Sequence, residues 1–256
     1  MSASSSDLSP APDIAPPPAD NPNSIQRFVG AIVAPTRTFA SIAAKPDVLI
    51  PLIAYAVFAL VTAMLILPHV DFETAMREQM ETTQPNMKAD DIDRMVNIST
   101  AFAKGAFYAS PVTSVIMYLA LAGIFLLVFR LAGADGDYKQ ALSVVLYAWV
   151  PMLIKSLATV VIVLARGEVD LTQMQNVVMS NLGFLVDQKK QMVLFALLSS
   201  LDVFTLWTLT LMTIGFSYMA KRSRAFAGTI VFSLWAVALT IKIGLAALGA
   251  ARLKQS

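Results

Sequence analysis

Residues 48–67 read VLIPLIAYAVFALVTAMLIL, twenty residues without a charge, beginning just after Asp47. An α-helix rises about 1.5 Å per residue, so about twenty apolar residues cross the ~30 Å hydrocarbon core of a bilayer. Four more stretches have the same character. Gly105–Phe129 carries no charge and places Pro111 where the first turn of a helix tolerates it. Gln140–Ala165 is apolar except for Lys155, Gln191–Ala220 except for Asp202, and Ala225–Ala251 except for Lys242. The expected spans are 48–67, 110–131, 141–165, 192–219 and 225–248. The expected fold is an all-α integral membrane protein, a bundle of about five transmembrane helices.

The composition agrees with a bilayer as solvent. The chain is 57% hydrophobic and 14% charged, where a soluble domain carries roughly 25% charged residues. The net charge is +2, and no basic stripe interleaved with aromatics is present, so no nucleic-acid partner is expected. The absence of cysteine excludes disulfides and thiolate metal sites.

Outside the spans the sequence divides into distinct segments. Residues 1–23 show no basic start followed by an apolar run, so no cleavable signal peptide is read. Six prolines lie between Pro10 and Pro22, and this Ser-, Ala- and Pro-rich tail is expected to be disordered. Residues 24–47 read as amphipathic helices in the interface. Ser24 can cap the first, and Ile25, Phe28, Val29, Ile32 and Val33 fall on one of its faces. Pro35 ends that helix and starts a second, in which Phe39 and Ile42 share a face. Basic residues beside apolar stripes fit a helix lying among headgroups; the alternative is a short helix packed under the bundle. Residues 48–250 form the five-span domain.

Two long connections belong to the outer side. Pro68–Ala109 holds seven acids and four bases. Its stripes, Phe72, Met76 and Met80, then Ile92, Met95, Val96, Ser99 and Phe102, predict an amphipathic helical hairpin broken near Pro85. Arg166–Gln191 has a capping Asp170 and a stripe of Leu171, Met174, Val178 and Leu185. With the amino terminus inside, eight Lys or Arg fall inside and nine outside, so totals do not orient the chain. The short Lys221-Arg222-Ser223-Arg224 turn carries three bases and no acid. Short basic loops dominate orientation, which favours a cytoplasmic amino terminus; Arg252 and Lys254 weigh the other way.

Three stretches carry a family resemblance: RFVGAIVAPTRTFASIAAKPDVLIPLI (27–53), QALSVVLYAWVP (140–151, with Tyr147 and Pro151), and LDVFTLWTLTLMTIGFSYMAKRS (201–223, with Asp202 and Trp207). Together they resemble the Yip (Ypt-interacting protein) domain family, particularly its bacterial members, over roughly residues 25–250. The resemblance implies a polytopic membrane protein tied to membrane organisation or trafficking, placed here in a bacterial cytoplasmic membrane. Tyr147, Pro151, Asp202 and Trp207 are its motif positions. The Asp-Leu-Tyr-Gly-Pro signature of the eukaryotic relatives does not occur.

Candidate chemistry is sparse. His69 stands at the edge of the first span, near Asp71 and Glu73, and reads as a solvated boundary residue rather than a metal ligand. Asp90, Asp91 and Asp93 lack the turn glycine and distal glutamate of a calcium loop. No hydrolase triad and no phosphate loop can be assembled, so neither catalysis nor a cofactor is expected. Trp149, Trp207 and Trp235 avoid the interface and are expected inside the bundle, the alternative being a ligand cavity. The sharpest candidates are Lys155, Asp202 and Lys242, three charges in the same outer half of the bilayer. Tyr147, Pro151, Lys155 and Thr159 share one face of the third span, and Ser199, Asp202, Leu206 and Thr213 one face of the fourth. Asp202 is expected to pair with Lys155, with Lys242 as second partner or snorkelling outward. The expected partners are the bilayer and membrane or cytoplasmic proteins, with homo-oligomers allowed; the expected function is non-enzymatic binding in membrane organisation, with a small transporter or channel as the alternative.

Overall fold

The computed structural model describes residues 22–167, 169, 170, 174, 177–188 and 190–253. The expected tail lies almost wholly outside them, as do Leu171 and Lys254. Two short helices open the fold, α1 (Ser24–Val33) and α2 (Pro35–Ala44), followed by α3 (Leu49–Ile66). The first long connection is α4 (Phe72–Thr83) packed on α5 (Ala89–Tyr108), the hairpin read from the two stripes. Then come α6 (Ser110–Leu131), α7 (Tyr138–Ala148), α8 (Val150–Arg166), α9 (Met192–Leu198), α10 (Val203–Ala220) and α11 (Arg224–Leu253). Five segments are long and apolar enough to cross a membrane: Leu49–His69, Ser110–Leu131, Tyr138–Arg166, Val203–Ala220 and Arg224–Ala251.

Two of the expected spans are not continuous helices. The third is interrupted at Trp149, because Pro151 has no N–H to give to the carbonyl four residues earlier and its ring crowds that turn. Trp149 closes α7 with N–H bonds to Val145 and Leu146, and α8 starts afresh with Pro151 in its first turn. The fourth, expected over 192–219, is two helices separated at 199–202, and Asp202 is the N-cap of α10 rather than a mid-helix residue.

α7 is buried on every side: each residue from Ala141 to Ala148 is buried. It is enclosed by α1, α2, α6 and α10, which is the condition under which a helix can be apolar all round. α2 sits under the bundle, with Phe39 and Ile42 fully buried in the main core. A second, smaller core at the opposite end gathers Ile66, Val70, Phe72, Val160, Val163, Val169 and Val177.

That end is tied by a two-residue parallel ladder, β1 (Val70–Asp71) on β2 (Val169–Asp170). The stripe expected in the second connection does not make a helix among the described residues; Val169 and Val177 turn into the small core, and Leu182–Leu185 forms a 3₁₀ turn with Leu185 exposed. The outward faces of α3, α6 and α11 present apolar side chains such as Val57, Val61, Ile116, Leu127, Val237 and Leu245. This is the belt expected of helices solvated by lipid.

Close packing of α2, α7 and α10 depends on Gly215. A Cβ there would stand 2.5 Å from Val144 Cγ1 and 2.8 Å from Phe39 Cδ1. Gly215→Ala should therefore lower thermal stability of the purified protein by about 1–3 kcal/mol, the usual cost of overpacking. Gly244→Ala, where nothing lies within 4 Å of the new methyl, should show no loss. Equal behaviour of the two variants would contradict the packing described.

Candidate functional site

The interruption at 199–202 positions the site. Ser199, Ser200 and Asp202 are residues whose side chains compete for backbone groups and so end and begin helices. Asp202 Oδ1 accepts the Thr205 amide at 3.0 Å. The second connection returns to the same point. Ser180 donates its hydroxyl to Asp202 Oδ2 at 2.5 Å, its carbonyl accepts the Val203 amide at 3.0 Å, and Asn181 bridges antiparallel to Asp202.

From α8, Lys155 Nζ reaches Asp202 Oδ2 at 2.7 Å; Asp202 is 2% exposed and Lys155 25%. The structure thus brings Lys155 and Asp202 together. Lys242 takes a different partner from the expected carboxylate: its ammonium donates to Ser199 Oγ at 3.0 Å and Ser200 Oγ at 2.9 Å.

Levels along the helices follow from contacts elsewhere. Tyr147 touches Asp47 at the foot of α3, and Val169 pairs with Val70 at its other end. Lys155 lies about 12 Å along from Tyr147 and about 16 Å from Arg166 at 1.5 Å per residue. The ion pair is therefore close to halfway between the two ends of α3.

Tyr147 belongs to a second polar cluster, centred on Asp47, which the reading of motifs missed. Asp47 is ion-paired with Arg27, which is 3% exposed, and accepts the hydroxyls of Ser24 at 2.6 Å and Tyr147 at 2.8 Å. Its amide and carbonyl both meet Ser143 Oγ, at 3.3 and 2.8 Å. Burial disfavours the Asp47 carboxylate, but the Ser24 and Tyr147 hydroxyls and the Arg27 guanidinium outweigh it and hold the carboxyl below its ordinary value of 3.8. The signal was available: Asp47 is the only acid between residues 21 and 70.

The remaining candidates are dispersed. Pro151 is buried at the start of α8. Trp149, Trp207 and Trp235 are partly buried and pack on the main core. His69 Nδ1 lies 3.0 Å from the Leu65 carbonyl at an exposed position. Asp90 and Asp91 occupy the first turn of α5, where acids suit the helix dipole, and Asp93 pairs with Arg77 at 2.7 Å.

Residues 29–245 match the model of the Yip1 domain. The chain belongs to the Yip1 domain family. It is accordingly an integral, multi-pass membrane protein. No curated protein and no solved structure matches it. The Yip1 match runs from α1 into α11 and so takes in both the Asp47 cluster and the Lys155–Asp202 pair.

Two measurements test these clusters. Asp202→Asn keeps an N-cap but strands the ammonium of Lys155, and should destabilise the protein by about 3 kcal/mol, the lower end for a broken buried pair. Adding Lys155→Met should recover part of that loss; strictly additive losses would mean that the two charges do not interact. For Asp47 the folded carboxyl titrates below the unfolded one, so its stabilisation is complete above pH 3.8 and is lost as pH falls through the lower folded value. Wild-type protein should lose stability in that acid range, and Asp47→Asn should lose less. Parallel acid profiles would contradict the cluster's role.

Proposed function

We propose that this Yip1 domain is a non-enzymatic membrane protein that binds lipid and protein partners and helps organise the membrane in which it sits. The observation that carries the proposal is the way α1 is turned. Its polar side is buried: Arg27 and Ser24 are held by Asp47. Its apolar side faces away from the protein, with Ile25 and Val33 more than two-thirds exposed and Val29 more than half. A helix that hides its arginine and displays its valines is oriented for contact with a bilayer surface.

The same end of the molecule gathers basic residues from three segments. Arg37 and Lys45 come from α2 and its exit, Arg130 and Lys139 flank the α6–α7 turn, and Lys221, Arg222 and Arg224 form the α10–α11 turn. Arg222 donates to the Gly133 carbonyl at 3.0 Å and Arg224 to Thr36 Oγ1 at 2.9 Å, which fastens these segments to one another. A basic end of this kind supports a cytoplasmic placement, with the amino terminus inside and a bacterial inner membrane as the compartment.

A second reading rests on a separate observation. A helix interrupted beside an intramembrane ion pair is an arrangement that small transporters use. Substrate-dependent flux in proteoliposomes would favour it.

The native chain contains no cysteine, so single cysteines report cleanly. In oriented membranes, Val29→Cys should react with a membrane-impermeant maleimide far more slowly than Asp135→Cys in the α6–α7 turn. Equal rates would remove α1 from the bilayer surface. A cytoplasm-dependent reporter should work when inserted after Ser223 and be silent after Ser256; the reverse would invert the orientation.

A further inference from the structure

A crevice of about 500 Å³ opens between α3, α6 and α8. That size is typical of small-ligand sites, roughly 300–1,000 Å³. Its walls are mainly apolar, and among the described residues Lys155 is the one charged side chain lining it. The hydroxyls of Thr62, Ser110, Tyr118 and Ser156 also line it. None of these four hydroxyls has a hydrogen-bond partner among the described residues. None of the four is among the buried polar atoms without a partner, so they face the crevice and are free to bond a ligand there.

What they require can be read from their chemistry. An ammonium only donates, and each hydroxyl has a donor to spare. Among the described residues no carboxylate lines the crevice. Around it, Lys155 and Lys242 accompany a single acid, Asp202, and Lys242 is held by hydroxyls. The positive charge in excess is therefore that of Lys242, beside the crevice rather than in it, while Lys155, with one N–H given to Asp202, has donors left to offer. Converging donors with excess positive charge fit an oxyanion, and apolar walls fit the chain attached to it. Ser110 begins α6 and Tyr118 lies about 12 Å further along it, so the hydroxyls line a path from the outer end of the bundle toward Lys155.

We propose that this crevice binds a phosphate oxyanion, with Lys155 as its charged contact and the hydroxyls of Ser110, Tyr118 and Ser156 as neutral donors. The apolar walls favour the phosphate of an anionic lipid over free phosphate. The inference rests on the lipid-partner part of the function proposed above. Its test is separable, because α1 lies at the other end of the bundle and its labelling does not report on the crevice.

The test uses the full chain in neutral detergent with Trp207→Phe and Trp235→Phe, which leaves Trp149, a lining residue, as the one tryptophan. Its fluorescence is titrated with dihexanoyl phosphatidylglycerol, dihexanoyl phosphatidylcholine and inorganic phosphate. A saturable response to phosphatidylglycerol, well below that for phosphatidylcholine in concentration, is expected. Saturation by inorganic phosphate as well would identify the oxyanion alone as the ligand; its absence would make the lipid the source. The double variant Lys155→Met with Asp202→Asn removes both charges and strands neither, and should weaken binding by about tenfold or more. Ser110→Ala with Ser156→Ala leaves the ion pair intact and should weaken it by about fivefold or more. If the charge variant does not fold, the serine variant decides alone. Unchanged affinity in either folded variant, equal binding of both lipids, or no saturable response to any probe would overturn the proposal.

Discussion

A helix interrupted in an apolar bundle frees backbone groups that must find other partners, and the arrangement around Asp202 answers that constraint. The carboxylate caps α10 through Thr205, takes the Ser180 hydroxyl and holds the Lys155 ammonium. The Ser180 carbonyl takes the next free amide, that of Val203. One acidic side chain thus joins α8, α10 and the second long connection. Remove its charge and Lys155 is left without its counter-charge; remove the side chain and the start of α10 is left uncapped as well.

The Asp47 cluster performs the matching task at the other end. Its four partners come from α1 and α7, so one carboxylate fixes the entry of α3 against the most deeply buried helix. Tyr55, about two turns past Asp47, repeats the link by donating to the Leu146 carbonyl at 2.8 Å. That carbonyl lies in the last turn of α7, just before the interruption caused by Pro151, where helix carbonyls lack their regular donors. The third span is therefore repaired by a side chain from α3, and the fourth by Asp202 itself and the Ser180 carbonyl of the second connection. The cost of a broken helix is met by packing, which leaves the outer faces of α3, α6 and α11 free to meet lipid.

The sequence discloses the spans because length and apolarity alone decide them: α3 and α6 fall within two residues of the expected limits. It discloses the interruptions less readily, since residues 191–220 are apolar except for Asp202 and mean hydropathy carries no sign of a broken backbone. Capping chemistry does, in the run Ser199-Ser200-Leu201-Asp202. The stripe and basic residues of α1 favour the interface without deciding its orientation. A stripe says which residues share a face, but in a membrane protein both the bundle interior and the lipid are apolar, so it does not say which way the face points. The crevice needs three helices at once and has no linear signature. Lys242 finds two serines rather than Asp202 because α9 packs along α11, a contact that exists only once the fourth span has been divided.

The claim on which the rest turns is that the chain break at 199–202 lies within the bilayer and is closed by its side-chain partners. Amide hydrogen exchange of the full-length protein in lipid nanodiscs tests it directly. Val203 and Thr205, whose amides are held by Ser180 and Asp202, should exchange as slowly as amides in the middle of α8. Rapid exchange at Val203 and Thr205 while α8 stays protected would place the break in water and contradict the account.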